Sequence, residues 1–500
     1  MSRGITLCGI SLLLSSLSSS IAGTCESLHS LSLPHTTITQ AESVGRSGVA
    51  LPPGRKAPDR ELPPFCRVAA TLRPTSDSDI HMEVWLPTAG WNGKLLANGN
   101  GGWTGSISTT ALATGLVAGY ATTMSDLGHE GSSARFALGH PEKLIDFGYR
   151  AAHEMTVVAK AIVASYYGGE AKYSYWTGCS AGGRSGLMEA QRFPDDFDGI
   201  IAGAPGLNWT GRALQSIWVA QAAHKEEASY IPPSKYPLIH NAVLEACDAR
   251  DGLKDGVLED PTSCDFDPGA LLCKGSSTDA CLTAPQVETA RAIYAGPKDK
   301  QHGKAFFPGF ERGSEAGWKV MAGPQPFRIG EDMFKFVVFR NPEWNYKSFN
   351  FETDVPLANK EEGVLNAMNP NLKPFIRRGG KLIQYHGWTD PQIAPRNSAI
   401  YYRNVLESIG AEVKVQDSYR LFMVPGMAHC GGGDGTSEFD MLSALERWVE
   451  KGTAPDHVIA SRVREGKVDR TRPLCPYPAV AVYKGAGSTA DAASFICRKP

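Results

Sequence analysis

Apolar residues fall along this chain in two alternating rhythms. Short runs at 94–98, 120–125, 173–179, 199–204, 381–387 and 419–424 have the length of strands and stop at or near glycine or proline turns. Between them lie stretches with helical spacing. Residues 142–167 place Leu144, Phe147, Ala151, Met155, Val158 and Ile162 on one stripe, and helices are also predicted over 182–192, 395–409 and 437–451. Such alternation predicts a parallel sheet covered by helices, the α/β class. Before about residue 90 the chain is rich in Ser, Thr and Pro, and runs such as 66–72 read as edge strands between loops. From about 206 to 372 the rhythm stops. That stretch holds Asp-Gly turns, four cysteines and aromatic residues without a period. The expected architecture is one α/β core in two parts, 23–205 and 373–500, interrupted by a lid insertion at 206–372.

Composition narrows this picture. A chain of 500 residues that is 42% hydrophobic can bury a large core. Lys and Arg total 50 against 52 Asp and Glu, with no long run of either sign, so charge gives no reason to expect nucleic acid or an anionic membrane as partner. At the N-terminus Arg3 precedes an apolar stretch from Ile5 to Leu14, then serines and small residues up to Ala22. That is the layout of a secretory signal over residues 1–22, with cleavage expected after Ala22 and a secreted or periplasmic product. Thr24 disfavours the competing reading, lipid attachment at Cys25. Beyond Cys8 ten cysteines remain, an even number that suits five disulfides in an exported protein.

The candidate chemistry begins at Gly178-Cys179-Ser180-Ala181-Gly182-Gly183, a Gly-x-Ser-x-Gly pattern between a predicted strand and a predicted helix. A serine on that turn is held with its hydroxyl exposed, and the helix N-terminus with the Ala181 N–H favours negative charge on an ester oxygen. The competing reading is a plain structural turn. A serine needs a base, and the base an orienting acid. Asp390 follows the predicted strand 381–387, and His429 follows 419–424, in the order Ser, Asp, His. His386 competes for the role of base but precedes Asp390. A second oxyanion donor is expected from the early glycine-rich loop, at Gly101 or Gly102. Cys179 precedes the serine and Cys430 follows the histidine; if they pair, the two turns lie side by side, and otherwise each serves a separate bridge.

With these residues in place the chain resembles the tannase and feruloyl esterase family, whose marker is this Cys-Ser, Asp, His-Cys set. The similarity extends to Ile201-Ala202-Gly203-Ala204-Pro205 and Val424-Pro425-Gly426-Met427. It implies an α/β-hydrolase core with a lid, a serine carboxylic-ester hydrolase, and small or polysaccharide-linked esters of aromatic acids as substrates. It also implies the pairs Cys25–Cys66, Cys179–Cys430, Cys247–Cys264, Cys273–Cys281 and Cys475–Cys497. The bacterial hydrolase of mono(2-hydroxyethyl) terephthalate resembles the same family, but Ala181 stands where that enzyme carries glutamate. In the lid, Trp318, Phe327, Phe334, Phe336, Phe339 and Trp344 are either a substrate wall or simple core.

Residues 248–257 form a second constellation, Asp-Ala-Arg-Asp-Gly-Leu-Lys-Asp-Gly-Val. Three carboxylates with turn glycines suit a hard cation, although Thr262 at the twelfth position from Asp251 rules out an EF-hand. An ordinary solvated Asp-Gly turn is the competing reading. The family resemblance implies structural calcium, held by the side chains of Asp248, Asp251 and Asp255 and the carbonyls of Leu253 and Val257. Two rival functions are a calcium-stabilised binding protein without activity and metal-dependent hydrolysis at this loop, which contains no histidine.

Overall fold

The computed structural model describes residues 23–45, 61–276, 278–299 and 302–499. The expected signal segment lies outside the described residues.

Nine strands form the central sheet: β1 (Thr36–Val44), β2 (Phe65–Leu72), β3 (Ile80–Pro87), β4 (Lys94–Asn98), β5 (Ala121–Ser125), β6 (Tyr173–Cys179), β7 (Gly199–Gly203), β8 (Lys381–Gly387) and β9 (Tyr419–Val424). Their spatial order is β1-β2-β3-β5-β4-β6-β7-β8-β9. Pairings from β5 through β9 are parallel, while β1, β2, β3 and β5 pair antiparallel. All five residues of β7 are buried, as expected of a parallel strand covered on both faces. On one face Trp176, Ile200 and Leu187 join Val158 and Ile162 of the helix Ala151–Tyr167. On the other, Tyr175, Ile201, Ile383 and Phe422 meet Leu445 and Trp448 of the helix Met441–Lys451.

The first strands differ from the expectation of edge strands. Only β1 is an edge; β2 and β3 are interior and almost wholly buried. Their alternation of polar and apolar residues does not mark a wet face. Arg67 and Glu83, each 2% exposed, form an ion pair at 2.8 Å across β2 and β3, and Trp85 Nε1 donates to the same carboxylate at 2.8 Å. Polar residues that satisfy one another inside the protein have the same period as polar residues facing water.

The chain leaves the sheet after β7 and returns at β8. The excursion builds its own core from Ile239, Val243, Val287, Ile293, Trp318 and Met321. Its first helix, Trp209–Ala223, is buried nearly all round. Trp209, Leu214 and Ile217 pack with the sheet-side core, while Val219 and Ala223 pack with the core of the excursion. A helix wrapped on both sides carries no polar stripe, which is why no period was visible there. After β9 the chain ends in two antiparallel pairs, β10 (Val458–Arg464) with β11 (Lys467–Leu474) and β12 (Val480–Tyr483) with β13 (Phe495–Arg498).

The disulfides are Cys25–Cys66, Cys179–Cys430, Cys247–Cys264, Cys273–Cys281 and Cys475–Cys497, each as the resemblance implied. Five bridges fit maturation in an oxidising compartment. Among the described residues no helix is long and apolar enough to cross a membrane.

Candidate active site

Ser180 sits between β6 and the helix Ala181–Arg192 with φ 62° and ψ −120°, a conformation that side-chain-bearing residues rarely adopt. The turn is pinned from below, because the Ser180 N–H donates to the Gly203 carbonyl at 2.9 Å and the Ser180 carbonyl accepts from Gly206 N–H at 3.1 Å. Crowding explains the neighbouring glycines. A Cβ on Gly178 would lie 2.5 Å from the Gly182 backbone, and one on Gly182 would lie 2.9 Å from Gly99. The glycine-rich loop after β4 therefore rests directly on the N-terminus of the helix. Ala181 is buried there; Gly101 is exposed, and Gly102 takes φ 54° beneath Ile329 of the excursion.

Asp390 lies in the turn after β8 and is fully buried. Its Oδ2 accepts from His429 Nδ1 at 2.7 Å and from His386 Nε2 at 3.0 Å. Its Oδ1 accepts from the N–H groups of Gln392 and Ile393 at 2.7 and 3.0 Å. Burial alone would raise its pKa, but the charge of His429 and the hydrogen bond from His386 overcome this, holding the carboxyl well below the usual range. Asp390 is therefore an anion, and the Nδ1 proton of His429 points to it. That leaves His429 Nε2 as the basic nitrogen.

Ser180 and His429 are joined through their neighbours. Cys179 and Cys430 form a disulfide with Cα atoms 6.0 Å apart, across 251 residues of sequence. Cys430 itself has φ 64°, so both turns are held in unusual conformations at the bridge. The three residues expected from the sequence are thus gathered at one end of the sheet, beyond β6, β8 and β9.

Two features were not assigned from the sequence. His386, weighed there as a competing base, is instead a second donor to Asp390, with its Nδ1 2.7 Å from the Ser398 hydroxyl. Only the fold shows that a histidine four residues before Asp390 faces the same oxygen. Arg212 is fully buried beside Asp390, and burial lowers its pKa to about 10. Its guanidinium lies 5.4 Å from the Trp209 ring and 5.0 Å from the Phe327 ring, and its Nη2 has no protein partner. Of the six lid aromatics singled out from the sequence, Phe327 alone stands by Arg212. Trp318 packs on Tyr294, while Phe334, Phe339 and Trp344 meet Phe349 edge-on, and Phe336 lies under Arg135.

The acidic loop belongs to the excursion and packs against the C-terminal strands, with Val257 beside the turn at Gly426. Asp248 is buried and accepts from Gly256 N–H at 2.9 Å. Asp251 accepts from Leu253 N–H at 2.9 Å, and Asp255 accepts from Arg472 at 2.6 Å. Gly252 and Gly256 supply the positive φ angles of the turns. Burial, reinforced by Asp255 and Asp248, raises the Asp251 pKa. Carboxylates crowded in this way, beside backbone carbonyls, have the donor chemistry of a calcium site.

Residues 66–498 match the family described as tannase and feruloyl esterase. An uncharacterized esterase of Xanthomonas campestris pv. campestris is 40% identical, over 98% of this chain and 94% of its own length. A probable feruloyl esterase B-2 of Aspergillus terreus is 34% identical over 86% of each. The crystal structure of feruloyl esterase B from Aspergillus oryzae superposes with a TM-score of 0.89 at 30% identity, covering 95% of this chain and 99% of that one. The chain belongs to the tannase and feruloyl esterase family, carboxylic-ester hydrolases on an α/β-hydrolase fold.

Proposed function

We propose that this protein hydrolyses esters of aromatic acids through an acyl-enzyme formed on Ser180. The observation that supports this most directly is His429, hydrogen-bonded to a buried anionic Asp390 and bridged through Cys430 to the residue before Ser180. Asp390 fixes the tautomer of His429, so Nε2 takes the Ser180 proton as the hydroxyl attacks the ester carbonyl. The Ala181 N–H and an N–H of Gly101 or Gly102 receive the charge on the carbonyl oxygen. His429 then gives the proton to the departing alcohol, and water repeats the sequence to release the acid.

The aromatic specificity rests on the named relatives. A panel of methyl ferulate, methyl gallate and mono(2-hydroxyethyl) terephthalate tests it. The highest kcat/KM is expected on one of the first two, because Ala181 replaces the glutamate of the terephthalate enzyme. Preference for the terephthalate ester, or turnover of short aliphatic esters alone, would overturn the assignment. The apolar N-terminal segment and five disulfides support export, to the periplasm or beyond it.

The same reading gives the acidic loop a structural calcium ion, held by Asp248, Asp251 and Asp255 and the carbonyls of Leu253 and Val257. An ion that binds only the folded chain stabilises it by about 2.7 kcal/mol at 100 times its Kd. Chelation with EGTA is expected to lower the melting temperature, with restoration by calcium and little change in kcat at 25 °C. A melting temperature indifferent to both additions would remove calcium from the account.

A further inference from the structure

A second group of metal-ligand side chains lies at the opposite end of the helix that begins at Ala181. His153 comes from the helix Ala151–Tyr167, Glu189 from the last turns of Ala181–Arg192, and Asp196 from the loop leading to β7. One ligand atom from each lies within 4.8 Å of the others, and among the described residues this is the one such trio of His, Cys, Asp and Glu. Glu189 supplies the independent observation. It is 0% exposed, and neither carboxylate oxygen has a hydrogen-bond partner. A buried carboxyl that lies against a second carboxyl and receives no donor from the protein is costly unless a cation or a shared proton sits between them.

We propose that His153, Glu189 and Asp196 form a site for a divalent transition-metal ion of the zinc class. One imidazole and two carboxylates give a mixed nitrogen and oxygen donor set that suits zinc, manganese or cobalt. Three protein ligands leave a fourth position for water. The imidazole is held in place by stacking on Phe193 at 3.8 Å with an interplanar angle of 8°, and its Nδ1 hydrogen-bonds Asp196 Oδ2 at 2.6 Å, a contact the ion would replace. It is also reachable, since the His153 side chain is 28% exposed. Lys160, whose charge is felt by Glu189 and Asp196, gives its hydrogen bond to the Asp195 carbonyl at 3.3 Å. The ion would be structural, tying two helices together at the far end of the helix whose first turn follows Ser180.

The test uses the full-length, untagged protein, freed of metal and then kept in saturating calcium so that the acidic loop is filled. Titration with Co2+ should give one equivalent of bound metal with the visible absorption of a nitrogen-containing site, displaced by Zn2+. The melting temperature should rise with Co2+ or Zn2+ concentration. His153→Gln changes a partly exposed residue and should weaken Co2+ binding beyond the roughly 10–100-fold that supporting residues around a metal contribute. Glu189→Gln places a neutral amide in the buried position. It should melt no lower than the metal-free parent, yet lose the metal-dependent rise. Two results would overturn the site: equal Co2+ uptake by the parent and both variants, or no uptake by the parent. The second would leave Glu189 and Asp196 as a pair sharing a proton. None of these readouts depends on esterase activity.

Discussion

Ser180→Ala is expected to lower kcat/KM on methyl ferulate or methyl gallate by roughly a million-fold while leaving the fold intact. The magnitude follows from what loss of a serine nucleophile costs in comparable sites. The site would retain its oxyanion donors and binding surface, so a residue of about 10³–10⁴ over the uncatalysed reaction should persist. The expected stability comes from the local geometry. Ser180 is at φ 62°, which disfavours any residue with a Cβ, and serine and alanine share that Cβ. The turn is pinned by backbone bonds to Gly203 and Gly206 that do not involve the hydroxyl. Parallel assays and thermal melts of the two proteins separate the outcomes. A variant with a tenth or more of the parental turnover would remove Ser180 from the mechanism, and a collapsed melting temperature would make the loss uninformative about chemistry. In that event a fluorophosphonate probe on the parent, with peptide mapping of the labelled serine, decides the matter.

The sequence showed the parts of this molecule whose period is set by water. Residues 94–98, 173–179, 381–387 and 419–424 are strands to the residue, because each is a short apolar run closed by a turn. The predicted helix at 142–167 is helical throughout, from Pro141 to Tyr167, but one turn over Asp146–Arg150 is wound more widely. Apolar spacing at Leu144 and Phe147 continues through that change of pitch, and so concealed it. Interior β2 and β3 looked like edges because Arg67 and Glu83 neutralise each other out of sight of solvent. At the candidate site the residue types and their order pointed to Ser180, Asp390 and His429. What pattern could not show was the partner of each oxygen of Asp390. Glu189 is a similar case: in a helix of residues 181–192, a lone glutamate reads as a solvent-facing charge, and only packing makes it a buried one.

The Asp390 carboxylate leads to the second prediction. Asp390→Asn should lower kcat by about 10⁴, with little effect on KM. In the parent, Oδ1 receives two backbone N–H groups and Oδ2 receives His429 and His386. An asparagine that keeps its oxygen on the backbone pair must turn its amide nitrogen towards both imidazoles. Two N–H donors then face a third. His429 relieves the conflict by moving its proton to Nε2, and the nitrogen that should accept the serine proton is no longer basic. The flipped amide keeps the imidazole bonds but aims its nitrogen at the N–H groups of Gln392 and Ile393, which breaks the turn. Stability against pH distinguishes the charge from the geometry. Because the folded pKa of Asp390 lies below its unfolded value near 4, the charge contributes stability above that value and loses it as pH falls towards the depressed one. The asparagine variant lacks this dependence, so the gap between the two melting temperatures should narrow on acidification below about pH 4. A variant that turns over within tenfold of the parent would show that His429 does not depend on Asp390 for its tautomer, and the base would have to be sought elsewhere.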